Sequence, residues 1–197
     1  WLGIGAGKII QRFHGKDMDL NIPNMITLGR LIAVPVTVWL ILNDFILAAF
    51  WLFVAAGISD AVDGYLAKRW DEVTEIGSYL DPIADKALLV SIYITLGAQG
   101  YLENWLVITV VFRDVMIVGA VILFQTMVRT LEMSPLFISK VNTVAQITLA
   151  AMVLGASGYN IDTGLFMELM IGIVAVTTLI SGVSYLVMIL NLEDLKS

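Results

Sequence analysis

Ser59-Asp60-Ala61-Val62-Asp63-Gly64-Tyr65-Leu66-Ala67-Lys68-Arg69, followed by Gly77-Ser78-Tyr79-Leu80-Asp81-Pro82-Ile83-Ala84-Asp85-Lys86, sets four carboxylates at the facing ends of two long apolar stretches. Asp60 and Asp63 are three apart and Asp81 and Asp85 four apart, so on helices each pair shares one face. The stretches, about 45–68 and 77–98, each reach the roughly 20 residues a spanning helix needs. They are too long for strands and lack sustained alternation, so helices are expected rather than a barrel. The connection between them is short, which predicts antiparallel neighbours. Counting away from that turn, the four acids lie at similar depth.

The rest of the chain repeats the pattern. Of 197 residues, 59% are hydrophobic and 14% charged, against about 45–50% and 25% in soluble domains. One water-facing core of this size cannot hide that excess. Further apolar stretches at about 25–42, 105–127, 137–157 and 165–192 bring the expected spans to six. The fold class is therefore all-α: a polytopic membrane protein with six transmembrane helices in a domain over 21–197. Ahead of it, Leu2, Ile4, Ile9, Ile10 and Phe13 interleave with Lys8, Gln11, Arg12 and Lys16, which predicts an interfacial amphipathic helix over 1–20. Trp1 is not an initiator, so the native N-terminus is expected upstream.

Connections at 43–44, 99–104 and 158–164 contain no Lys or Arg, whereas the opposite ends carry Lys8, Arg12, Lys16, Lys68, Arg69, Arg129 and Lys196. The positive-inside rule then puts both termini and the acids on the cytoplasmic side, or the matrix side in a mitochondrion. The absence of Cys excludes thiolate metal sites and cysteine nucleophiles. A single His, His14, removes most zinc and His-relay chemistry, and the net charge of −6 argues against a nucleic-acid partner.

One Asp at mid-membrane costs about 2.5–3.5 kcal/mol on insertion scales, and less near the interface. Four together repel one another, and Lys86 can neutralise only one of them. Two divalent cations would balance the cluster, and an all-oxygen ligand set points to hard ions such as Mg2+ or Mn2+. Helix caps and water-facing loop acids are an alternative, as is a divalent-cation or proton transporter. Gly64, Ala67 and Gly77 lie beside the acids and either admit a ligand close to the backbone or serve helix packing. Acids for two metals, small residues and flanking cations together describe a phosphoryl-transfer site.

The segment reads D-x-x-D-G-x-x-A-K-x(8)-G-x-x-x-D-x-x-x-D and resembles, with one departure, the signature of the CDP-alcohol phosphatidyltransferases. The family normally has Arg where this chain has Lys68, a point charge rather than a bidentate fork. The resemblance implies a six-helix homodimer. It implies that Asp60, Asp63 and Asp81 are metal ligands, and that Asp85 is both a metal neighbour and the general base for the acceptor hydroxyl. Asp63, Gly64, Ala67, Lys68 and Gly77 would line the CDP pocket. Asn21-Ile-Pro23-Asn24-Met-Ile-Thr27-Leu-Gly-Arg30 resembles the first-helix entry of phosphatidylglycerophosphate and cardiolipin synthases. This adds Thr27 to the CDP site and Arg30 to the acceptor phosphate, although helix initiation and snorkelling also account for these residues.

Two later segments separate those members. Phe112-Arg113-Asp114-Val-Met116 and Phe137-Ile-Ser139-Lys140-Val-Asn142-Thr143-Val-Ala-Gln146 look like eukaryotic-type, CMP-forming cardiolipin synthases. The glycerophosphate enzymes more often carry Arg-Glu at the first place and Gly-Lys-x-Lys-Thr at the second, where Asn142 takes the position of the second Lys. Lys140 and Arg113 are the expected acceptor-phosphate residues, Arg113 being the deeper and open to a structural ion-pair role. The implied reaction joins CDP-diacylglycerol and phosphatidylglycerol in a bacterial or mitochondrial inner membrane, with phosphatidylglycerophosphate synthesis from glycerol 3-phosphate as the nearest alternative.

Overall fold

The computed structural model describes residues 22–70, 75–127 and 137–194, with side chains over 29–59, 86–119 and 137–187. Among them are six helices and no strand: α1 (Ile22–Leu42), α2 (Ile46–Trp70), α3 (Glu75–Ala98), α4 (Asn104–Met127), α5 (Phe137–Tyr159) and α6 (Gly164–Asp194). Each apolar stretch read from the sequence is one helix. The expected interfacial helix over 1–20 lies outside the described residues.

Three turns stop the apolar runs at one end of the bundle. Each uses a left-handed residue: Asp44 (φ 61°), Gly100 (φ 79°) and Asn160 (φ 54°). That conformation suits Gly and is tolerated by Asn and Asp. It lets the next amide fold back onto the helix end, Phe45 N–H to Leu40 O at 2.9 Å, Tyr101 to Leu96 at 2.9 Å and Ile161 to Ala156 at 2.9 Å, satisfying carbonyls the helix leaves open. These are the three connections without Lys or Arg, and the four Asp belong to the opposite end.

The helices close around a core that includes Ile41, Phe53, Leu89, Ile92, Tyr93, Leu96, Leu106, Val110, Leu149 and Val153. α1 packs against α2 and α3, α5 against α2 and α6, and α4 joins α3 to α6, with a lighter α3–α5 contact. Among the described residues, then, α1 and α5 each touch both Asp-bearing helices. Tyr93 donates to the Gln146 carbonyl at 3.0 Å, crossing from α3 to α5.

The surface is inverted relative to a soluble protein. Ile32, Trp39, Trp51, Ile58, Ile94, Ile108, Phe112, Val115, Val144, Leu179 and Val183 are exposed, so all six helices show large apolar side chains outward. On α4, Phe112 and Val115 are 69% and 61% exposed, while Arg113 and Asp114 between them are 2% and 1% exposed. Burying charges and exposing aromatic and aliphatic groups is costly in water and suited to lipid. Among the described residues, 137–159 and 164–187 are long and apolar enough to cross a membrane by length and composition alone.

At the end of α5 the α2–α5 contact is closest at Gly158. A Cβ added at Gly158 would lie 3.0 Å from Leu47 Cα and 3.1 Å from Leu47 N, whereas one at Gly172 meets nothing within 4 Å. Backbone atoms cannot rotate aside, so Gly158→Ala is expected to force the two helix ends apart and cost about 1–3 kcal/mol. Gly172→Ala should be neutral or stabilising through helix propensity. Thermal melts of the two variants check this, and equal melting temperatures would contradict the close approach.

Candidate active site

The four carboxylates enter on two helices at one end of the bundle. Asp60 and Asp63 belong to the last part of α2, which ends at Trp70, and Asp81 and Asp85 to the first part of α3, which starts at Glu75. At about 1.5 Å of rise per residue, all four lie about 9–15 Å along their helices from the 71–74 connection. Their side chains lie outside the described residues, as do those of Thr27, Gly64, Ala67, Lys68 and Gly77. The donor set is purely carboxylate oxygen, in a chain without Cys and with its one His at His14. That set fits hard divalent cations. Among the described residues no group of three or more His, Cys, Asp or Glu gathers.

Two neighbouring features are described in full. A cleft of about 210 Å³ opens between Gly29, Arg30 and Ala33 of α1 and Ala55, Ala56 and Ser59 of α2. Small side chains form much of its lining, which includes Ser59, the residue before Asp60. Arg30 is buried at its wall rather than snorkelling outward.

On the other side of α3, Lys86 follows Asp85 directly, and its Nζ lies 3.0 Å from Asp114 Oδ2. The second oxygen of Asp114 accepts from Arg113 at 2.6 Å. Arg113 also donates to Ser139 of α5 at 2.6 Å and, through Nε, to Ser181 of α6 at 3.2 Å. One carboxylate between two cations thus links α3, α4, α5 and α6 inside apolar surroundings, where charge-assisted hydrogen bonds are strong and unpaired groups costly.

Arg113 and Lys140 are closer together than their helix positions suggest. The Arg113 backbone sits near mid-helix in α4, but its side chain reaches Ser139, the residue before Lys140. Lys140 is exposed at the start of α5. Two residues further along α5, Asn142 is fully buried, and its Oδ1 accepts hydrogen bonds from Thr177 at 2.8 Å and Thr178 at 2.9 Å on α6.

Sequence reasoning missed Ser139, Ser181, Thr177 and Thr178 as partners, and the Lys86–Asp114 bridge. The available signal was Arg113-Asp114 within an apolar run, which requires partners without naming them.

The family model for CDP-alcohol phosphatidyltransferase matches residues 20–189. The chain is 34% identical over 189 residues to the chloroplastic CDP-diacylglycerol–glycerol-3-phosphate 3-phosphatidyltransferase 1 of Oryza sativa subsp. japonica, covering 87% of this chain and 57% of that protein. It is 33% identical over 181 residues to the CMP-forming cardiolipin synthase of Rattus norvegicus, covering 84% and 60%. It is 32% identical over 177 residues to the CDP-diacylglycerol–glycerol-3-phosphate 3-phosphatidyltransferase of Rickettsia bellii, covering 85% and 94%. The chain therefore spans about six tenths of the rice and rat relatives and nearly all of the bacterial one.

Proposed function

The chain belongs to the CDP-alcohol phosphatidyltransferase family, and on that premise we propose that it transfers a phosphatidyl group from CDP-diacylglycerol to phosphatidylglycerol, forming cardiolipin and CMP. Family membership makes it membrane-integral. The proposal extends to six spans, because apolar side chains face outward on all six helices. It also puts the Asp end on the cytoplasmic or matrix side of a bacterial or mitochondrial inner membrane, because the cations gather there. The family resemblance adds a homodimer.

Asp60, Asp63, Asp81 and Asp85 would hold two divalent cations, Mg2+ or Mn2+, whose chemistry when bound is to offset the charge of the diphosphate and of the CMP leaving group. Asp85 accepts the proton of the acceptor's free hydroxyl. The oxygen bonds to the phosphorus that carries the diacylglycerol, and the bond from that phosphorus to CMP breaks. Gly64, Ala67 and Gly77, with Asp63, Lys68 and Thr27, shape the CDP pocket. The cleft between α1 and α2 gives an apolar ligand lateral access next to Asp60. Lys140, with Arg113 and Arg30 behind it, provides the positive charge for the acceptor phosphate.

Asn142 carries the choice of acceptor. It stands where the glycerophosphate enzymes more often have a second Lys, and its side chain is fully buried with Oδ1 accepting from Thr177 and Thr178. Arg113 already donates to Asp114, Ser139 and Ser181. Exposed Lys140 is therefore the cation at the start of α5, better matched to a phosphodiester with one charge than to a phosphate dianion. The alternative, glycerol 3-phosphate as acceptor, is favoured by the near-complete coverage of the Rickettsia relative that the chain resembles. Purified protein given CDP-diacylglycerol with either acceptor separates the two. CMP release with phosphatidylglycerol should exceed that with glycerol 3-phosphate by at least about tenfold, or about 1.4 kcal/mol. Release with glycerol 3-phosphate alone would reverse the acceptor while keeping the family chemistry, and metal flux without CMP release would indicate a transporter.

A further inference from the structure

We propose that Asp114 is a positioning residue for the transfer reaction, acting through Lys86 to fix the turn of α3 that presents Asp85. The inference rests on the transferase reading for its consequence, but on described geometry for the link itself. Lys86 is the next residue after Asp85, and its ammonium meets Asp114 at 3.0 Å. Its side chain is 23% exposed and that of Asp114 is 1% exposed, so the buried partner anchors the more accessible one.

Asp114 is itself immobilised. Its other oxygen is held by Arg113 at 2.6 Å, and Arg113 is fastened to Ser139 and Ser181 on two further helices. The residues flanking this pair, Phe112 and Val115, face outward, so apolar packing from them does not substitute for the polar link. Lys86–Asp114 ties α3 to α4 one residue from Asp85. A general base displaced by about 1 Å loses on the order of a hundredfold in rate, so a tie one residue from Asp85 bears on turnover and much less on substrate affinity.

The test is a double-mutant cycle on the full-length chain with Lys86→Met, Asp114→Asn and both together, plus Lys86→Arg. It reads CMP release against CDP-diacylglycerol concentration at saturating Mg2+, and thermal melting. Each single change should lower kcat by about ten- to a hundredfold with KM within about twofold. The double variant should lose no more than Lys86→Met alone, and Lys86→Arg should recover most of the activity. Additive losses, or a raised KM with kcat unchanged, would overturn the proposal. Should Asp114→Asn fail to fold, Lys86→Met and Lys86→Arg decide it, since equal activity in those two removes the need for a cation at position 86. If the wild-type protein releases no CMP with either acceptor, the transferase reading itself has failed. The melting temperatures then still judge the link, which shared shifts support and additive shifts refute.

Discussion

Replacing Asp81 with Asn is expected to lower CMP release by at least about a thousandfold, about 4 kcal/mol of transition-state stabilisation, while leaving the helical bundle folded. The substitution keeps the shape of the side chain and removes one negative charge, so the loss falls on metal binding and on charge at the reacting phosphorus rather than on packing. α3 is anchored by Leu88, Leu89, Ile92, Tyr93 and Leu96, all buried and all on the far side of Asp85 from Asp81. Circular dichroism, and the melting temperature without divalent cation, should therefore stay near wild type. Glu168→Gln, on exposed α6 surface at the other end of the bundle, is the matched control and should keep full turnover. An Asp81→Asn protein with wild-type turnover would take Asp81 out of the site.

Chelation should have an effect of similar size. With EDTA, CMP release is expected to fall at least about a hundredfold, at the lower edge of what metal-assisted charge stabilisation contributes, and to return with Mg2+ or Mn2+. The physical reason is the cost of gathering carboxylates in apolar helices, about 2.5–3.5 kcal/mol for each at mid-membrane and less toward the interface, to which their mutual repulsion adds. An ion bound to the folded state alone also stabilises it by mass action. The melting temperature should thus rise with Mg2+ in the wild-type chain and respond less in Asp81→Asn. Undiminished CMP release in EDTA would contradict the assignment of the four acids to metal.

The helices were legible because long apolar runs end at chemically distinct places. The stretch expected over 45–68 is the helix Ile46–Trp70, and that expected over 137–157 is Phe137–Tyr159. Their ends shifted by one or two residues because fraying and capping, not hydrophobicity, decide the last turn. The polar interior was legible only by half. Arg113 and Asp114 announce themselves as charges in an apolar run, but their partners come from 26 to 68 residues away along the chain. Ser139 and Ser181 resemble in sequence the Ser and Thr residues that merely bond back along their own helix, as Ser184 does to Ile180 and Thr148 to Val144. Counting residues follows Cα atoms and does not show that the long Arg113 side chain reaches Ser139 near the start of α5. The four Asp were singled out by their spacing, three and four residues apart on helices, and by the family signature they resemble, and their grouping is a proposal rather than an observation.

Anomalous diffraction from crystals of the full chain grown with Mn2+ and CDP-diacylglycerol addresses the carboxylate cluster most directly. Two manganese peaks among Asp60, Asp63, Asp81 and Asp85, within coordination distance of their oxygens, are the expected result. A map with the nucleotide bound, the four side chains pointing apart and no manganese between them would contradict it.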